Sequence, residues 1–312
     1  VTDIVDIAII GGGPAGLTAA LYGARARAST VVFELGLPGG QIVKTELVEN
    51  YPAFPDGVSG ADLGEYMYQQ AERFGAEFRT FSPVEAIRRE GDDFVIVADD
   101  AETVARTVIL STGAIPRKLG IPGENEFTGR GVSWCATCDG ALFRGKDVAV
   151  VGGGDAAAQE AEFLTKFAGY VYLIHRRDEL RATECLQEKC VMNPLIEYRL
   201  SRVPTEIVGK EGKVHGLRLA STKGEPEELL EVSGVFIYVG VDPTSELARG
   251  LTDLNEAGFI KVDGEGRTSV PGLYAAGDVT DHALKQVVTA AGQGAAAAFD
   301  ALRHIDAKVP AG

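Results

Sequence analysis

The stretch Asp6-Ile7-Ala8-Ile9-Ile10-Gly11-Gly12-Gly13-Pro14-Ala15-Gly16 returns, 141 residues on, as Asp147-Val148-Ala149-Val150-Val151-Gly152-Gly153-Gly154-Asp155-Ala156-Ala157. The two copies align without a gap. The end of the next apolar run, Val31-Val32-Phe33-Glu34, also matches its counterpart, Tyr172-Leu173-Ile174-His175, at the same offset. Each copy predicts a buried strand, a glycine turn, a helix of small residues and a second strand, the context in which a GxGxxG motif carries weight. The chain is therefore expected to be α/β, with two Rossmann-like dinucleotide-binding domains. Gly11 and Gly152 allow the tight turn, Gly13 and Gly154 let a pyrophosphate approach the backbone, and Gly16 or Ala157 keeps the helix close to its strand. Pro14 and Ala15 open one helix and Asp155 and Ala156 the other. Free amides and the helix dipole at those starts suit phosphates.

The residues at the end of the second strand separate the two sites. Glu34 can accept hydrogen bonds from ribose hydroxyls and would repel an added 2′-phosphate. His175, Arg176 and Arg177 stand in its place in the second copy, with Arg181 one helical turn further if a helix begins there. This cluster suits a 2′-phosphate. The first site is read as FAD-binding and the second as NADPH-binding; a solvated helix start is the alternative reading of the basic cluster.

With 312 residues the chain exceeds what one hydrophobic core usually serves, so about two domains are expected. Acidic side chains outnumber basic ones 45 to 30, giving a net charge of -15. Nucleic acid and anionic membrane surfaces are disfavoured as partners. No apolar run approaches the roughly 18 residues of a membrane helix. The opening Val1-Thr2-Asp3-Ile4-Val5-Asp6 lacks the basic region of a signal peptide. A cytoplasmic enzyme is the expectation.

Four cysteines are too few for a disulfide-built scaffold. Cys135 and Cys138 have the CxxC spacing of a reversible disulfide, in which one thiolate attacks and its neighbour resolves. Cys185 and Cys190 are spaced i, i+5, off a common helix face. A four-cysteine zinc site is the competing reading, although the interval between the pairs is long for one. No metal is expected.

The chain resembles the low-molecular-weight thioredoxin reductases of bacterial and plant type from about Asp6 to His304. The resemblance is carried by Gly11 to Gly16, Gly39-Gly40-Gln41, Glu49-Asn50-Tyr51-Pro52, Ser111-Thr112-Gly113-Ala114, Cys135-Ala136-Thr137-Cys138-Asp139-Gly140, His175-Arg176-Arg177 and Ala275-Ala276-Gly277-Asp278. It implies an NADPH domain, 116–245, inserted into a discontinuous FAD domain, 1–115 and 246–312. Pro116, Pro122-Gly123 and Pro243 break the chain at the junctions. It further implies that Gln41, Asn50, Thr112 and Gly113 line the flavin pocket, that Asp278 lies by the ribityl and phosphate region, and that Lys285, Gln286 and Val287 close over the ring. Asp139 serves as proton donor and acceptor, with a turn or cap residue as the plainer reading. Cys138 faces the flavin and Cys135 attacks a thioredoxin or thioredoxin-like partner, while the inserted domain swivels between two orientations.

The resemblance implies a homodimer. The amphipathic stretch Leu63 to Phe74 could serve either a core or a partner. Two positions depart from the family pattern. Ala156 stands where a hydroxyl residue is common, and Lys285 where arginine is frequent, which keeps the charge and loses the planar fork. Rival readings on the same fold are a peroxiredoxin or glutaredoxin-type reductase, an NADPH-independent dithiol oxidase or ferredoxin-driven reductase, and a non-catalytic flavoprotein.

Overall fold

The computed structural model describes residues 4–45, 48 and 50–308; Val1 to Asp3, and Glu49 of the Glu49-Asn50-Tyr51-Pro52 motif, lie outside the described residues. The chain divides into two compact units, Val1–Ile115 with Asp242–Gly312, and Pro116–Val241. The return crossing falls between 241 and 242, ahead of the expected 245. Its cause is a long-range pairing: Val241–Pro243 pairs with Ala114–Pro116 as a two-stranded ribbon. The Thr244 amide then donates to the Gly113 carbonyl at 3.0 Å, which already seats it on the first unit.

In the first unit the strands Glu77–Thr80, Thr30–Glu34, Val5–Ile10 and Ala101–Leu110 run parallel in that order. Leu273–Ala275 joins the last of them in parallel, and Asp93–Ala98 and Val84–Glu90 continue the sheet antiparallel. Ile7, Ala8 and Ile9 are wholly buried in succession, so the first strand is covered on both faces. Helices Pro14–Arg25 and Val287–Lys308 cover one face through Ala15, Ala19 and Ala20 and through Ala290, Ala297 and Ala298. Small side chains let these helices approach closely; a Cβ at Gly294 would stand 2.1 Å from the Ala15 carbonyl oxygen. Phe33, Phe94, Ile96 and Leu273 fill the opposite face. The amphipathic stretch read from Leu63 is the helix Gly60–Arg73. Ser59 caps it by accepting from the Asp62 amide at 3.0 Å, and it buries Leu63 and Ala71.

The second unit has a five-stranded parallel sheet ordered Ile196–Leu200, Tyr170–His175, Asp147–Val151, Gly234–Ile237 and Val132–Ser133. An antiparallel sheet of Arg202–Lys210, Lys213–Ser221 and Glu228–Glu231 accompanies it. Cys185 and Cys190 both fall on helix Glu184–Met192 and face differently. Cys185 is exposed, while Cys190 is buried and donates to the Ala158 carbonyl at 3.4 Å. Among the described residues no helix is long and apolar enough to cross a membrane.

Two contacts hold the first unit's layers in place. A Cβ on Gly16 would lie 1.9 Å from the Gly11 carbonyl oxygen and 2.7 Å from Ser111 Oγ, so only glycine lets this helix meet its strand. Asp300, buried on the last helix, accepts from Arg267 Nε at 2.6 Å and Nη2 at 2.5 Å, and from the Tyr274 hydroxyl at 3.1 Å. The Arg267 hydrogen bonds hold the Asp300 carboxyl below its ordinary range. Gly16→Ala should cost about 1–3 kcal/mol by overpacking. Ala157→Gly, at the matching position of the second copy, should cost only about 1 kcal/mol of helix propensity. Denaturant unfolding of both variants compares them, and equal losses would contradict the packing argument. Asp300→Asn should lower stability at neutral pH. A depressed folded-state pKa contributes stability above the unfolded value of about 3.9 that is lost as pH falls through the folded value. The gap between variant and wild type should therefore close in acid, and unfolding curves showing a pH-independent gap would refute it.

Candidate redox and dinucleotide sites

The redox pair is built on one short turn. The strand Val132–Ser133 ends two residues before Cys135, and the chain enters the helical turn Ala136–Asp139. Cys135 and Cys138 are joined as a disulfide with Cα atoms 5.3 Å apart. The amides of Cys138 and Asp139 donate back to the Cys135 carbonyl at 3.3 and 3.1 Å. Ser133 Oγ accepts from the Cys135 amide at 3.0 Å and donates to Asp139 Oδ2 at 2.5 Å. One hydroxyl thus ties the acid to the cysteine backbone. Sequence reasoning found both cysteines and Asp139 but missed Ser133, which carries no signal beyond its place two residues ahead of Cys135. Because Cys135 and Cys138 bond to each other, and Cys185 and Cys190 point apart on another helix, the four do not converge as a zinc set.

The first fingerprint presents an open backbone. A Cβ at Gly13 would meet only the Gly40 Cα, at 3.9 Å, so space lies in front of the helix start at Pro14 and Ala15. Glu34 does more than await a ribose: its Oε2 accepts from the Gly12 amide at 2.6 Å and its Oε1 from the Gly36 amide at 2.9 Å. The lone pairs left over can accept hydroxyls. Gln41 lies on the 3-10 turn Gly40–Lys44 and accepts from Lys44 Nζ at 3.2 Å. Asn50 Nδ2 donates to Gln286 Oε1 at 3.0 Å, joining two residues 236 positions apart. The Thr112 hydroxyl donates to the Thr244 carbonyl, and the neighbouring Gly113 carbonyl accepts the Thr244 amide.

Asp278 is partly buried after the strand Leu273–Ala275, and burial raises its carboxyl while Lys285 opposes the rise. Burial in turn lowers the Lys285 ammonium. Lys285 Nζ donates to the carbonyls of Asp278 and Thr280 and stands 4.5 Å from the Phe259 ring centroid. Val287 begins the last helix. Gln293, which accepts from the Gly277 amide at 2.7 Å, had no signal in the sequence.

The second fingerprint is equally open, since a Cβ at Gly154 would meet nothing within 4 Å. Gly152 does not need a left-handed backbone as Gly11 does (φ 104°). Its Cβ would instead lie 2.5 Å from the Tyr238 carbonyl oxygen and 2.7 Å from the Ala157 Cβ. Ala156 is exposed at the helix start, and the Asp155 carboxylate beside it accepts the Thr183 amide at 2.7 Å.

Two expectations change here. No helix runs from Arg177 to Arg181; the segment is a loop, and the helix starts at Glu184. The loop is held because the amides of Arg181 and Ala182 both donate to the Gly153 carbonyl, at 2.6 and 3.1 Å. His175 is buried rather than part of an exposed cluster, with its ring where a Gly153 Cβ would be, 2.3 Å from Nδ1. Burial first, then Arg181, Arg177 and Arg176, lower its pKa, so the imidazole is neutral and the positive charge of the site belongs to the arginines. Arg176, Arg177 and Arg181 are exposed, with no ion pair among the described residues. Three fixed cations around an open helix start are the donor set that a phosphorylated dinucleotide needs, and a carboxylate under a glycine turn suits one without a 2′-phosphate.

The family model for pyridine nucleotide-disulphide oxidoreductases matches residues 5–294. Over 301 residues the chain is 48% identical to a thioredoxin reductase of Mycolicibacterium smegmatis, covering 96% of each. It is 45% identical over 306 residues to a thioredoxin reductase of Listeria innocua, covering 97% of this chain and 94% of that one. The crystal structure of thioredoxin reductase from Streptococcus pyogenes MGAS5005 is similar at a TM-score of 0.92 and 42% identity, covering 98% of this chain and 100% of that one. The chain belongs to the pyridine nucleotide-disulphide oxidoreductase family, and its relatives there are thioredoxin reductases.

Proposed function

We propose that this chain is an NADPH-dependent flavoprotein disulfide reductase acting on oxidised thioredoxin or a thioredoxin-like protein. The observation that carries the reading is the Cys135–Cys138 disulfide on a turn whose Asp139 carboxylate is tied to the Cys135 backbone through Ser133. FAD is assigned to the first unit, at Gly11 to Gly16, Glu34, Gln41, Asn50, Thr112, Gly113, Asp278, Lys285, Gln286 and Val287. NADPH is assigned to the second, at Gly152, Gly154, Asp155, Ala156, Arg176, Arg177 and Arg181, with His175 as the packed floor. When bound, NADPH supplies a hydride and FAD passes its electron pair to the disulfide, a conversion that cysteines cannot perform directly.

The chain's own residues do the rest. Cys135, as thiolate, attacks a sulfur of the partner disulfide and forms a mixed disulfide. Cys138 then attacks Cys135 Sγ, the partner leaves as a dithiol, and the Cys135–Cys138 bond is restored. Asp139 takes and returns a proton at the sulfurs, and Ser133 keeps its carboxylate aimed. The Asp155 carboxylate orients the loop carrying Arg181 rather than a phosphate. The reading extends to a homodimer in the cytoplasm, as in the family the chain resembles.

Anaerobic titration tests the proposal: NADPH should bleach the yellow protein, and oxidised thioredoxin should restore its colour. No bleaching by NADPH would remove the second fingerprint from the reaction. Cys138→Ser should retain bleaching by NADPH and lose thioredoxin reduction by at least about a thousandfold, since the two cysteines act as a unit. Arg177→Ala and Arg181→Ala should each raise the KM for NADPH about ten- to a hundredfold, the worth of one charge-assisted hydrogen bond, with little change for NADH. Equal losses for both nucleotides would point to a collapsed loop instead of lost phosphate recognition.

A further inference from the structure

Behind the redox turn lies a second set of polar groups that disulfide exchange does not employ. Ala136 opens the turn, and its amide is one of the orphan donors that every helix start carries. Ala136 is 1% exposed, away from water, and this amide donates to the Tyr238 phenol oxygen at 2.6 Å. Tyr238 directly follows the strand Gly234–Ile237, and its own amide donates to the Val151 carbonyl at 2.7 Å. The phenol is therefore held from the end of an inner strand of the sheet. Its proton has no protein acceptor among the described residues. Glu160 approaches from helix Asp155–Leu164, with an Oε2 sealed from solvent and without a hydrogen-bond partner. The turn rests on this helix, since a Cβ at Gly140 would lie 3.1 Å from the Leu164 side chain. Burial raises the Glu160 carboxyl, and burial followed by Glu160 raises the Tyr238 phenol well above its ordinary value. Asp139, from the turn itself, is the other carboxyl bearing on that phenol.

We propose that Tyr238 and Glu160 are a buried positioning pair for the dithiol: Tyr238 pins the Ala136 amide, Glu160 sets a carboxyl behind it, and together they fix the geometry of the redox turn and the readiness of its thiols to ionise. The inference rests on the reductase reading only in taking Cys135 and Cys138 as the working groups. Opening the S–S bond consumes two electrons and two protons and yields two S–H groups; the thiol that then attacks is the one that sheds its proton. Neither Tyr238 nor Glu160 is assigned a bond to sulfur. A protonated Glu160 leaves the turn's amide dipoles to favour a thiolate. An ionised one sets a like charge behind it, in a low-dielectric surrounding, and opposes it.

The test uses the full chain reduced with dithiothreitol, without NADPH or thioredoxin. Iodoacetamide alkylation of Cys135 and Cys138 is monitored across pH, with peptide mass spectrometry separating them from the exposed Cys185. The wild-type pH profile should carry a step from Glu160 in addition to the coupled ionisations of the two thiols. Glu160→Gln should remove that step and speed alkylation at neutral pH by at least about threefold. Tyr238→Phe should alter the alkylation profile in its own right, because the Ala136 amide loses its acceptor. Glu160→Gln conserves volume and decides the matter alone if Tyr238→Phe does not fold. Variants that alkylate on the wild-type profile would overturn the pair. A protein whose alkylation profile loses the Glu160 step in Glu160→Gln, yet whose wild type fails to reduce thioredoxin with NADPH, would overturn the reductase reading and leave the pair standing.

Discussion

The close approach of the Gly16 backbone to the Gly11 carbonyl is the constraint on which the first unit depends. With no Cβ between them, helix Pro14–Arg25 seats against the end of Val5–Ile10. Its first amides then face the edge where the parallel strands stop, the place where such sheets take ligands. The last helix follows from the same economy of size, since Gly294 meets the Ala15 carbonyl and the alanines around it replace larger side chains. The second unit reaches a similar arrangement by a different contact. There the tight neighbour of Gly152 is the Tyr238 carbonyl, and Ala157 keeps its methyl group.

Tyr238 consequently serves two neighbours at once. Its backbone oxygen bounds the glycine turn, while its hydroxyl holds the first amide of the cysteine turn. The dinucleotide turn and the redox turn are thereby fixed to one residue at the end of one buried strand.

Charge distinguishes two sites whose backbones are alike. Glu34 and His175 occupy matching places beneath the middle glycines, Gly12 and Gly153. Glu34 is anchored by two amides and sets an acidic side chain at the turn. His175 is buried and neutral, and the arginines beyond it carry the positive charge into solvent. A protein of net charge -15 thus keeps a local cationic patch at Arg176, Arg177 and Arg181.

The sequence by itself determined the repeated strand, glycine turn and helix, the separation of an acidic from a basic fingerprint, and the CxxC-Asp redox turn. All of these are local: period, turn chemistry and charge are written within a few consecutive residues. Tertiary structure decided the rest. Arg181 lies on a loop because two amides bind Gly153; His175 is buried because Gly153 leaves room for its ring; and the return crossing comes early because a ribbon pairs residues over a hundred positions apart. Ser133, Tyr238 and Gln293 escaped sequence reading for the same reason. Their roles arise from hydrogen bonds that exist only once distant strands are neighbours, and no short-range pattern encodes which buried amide a hydroxyl or side-chain carbonyl will meet.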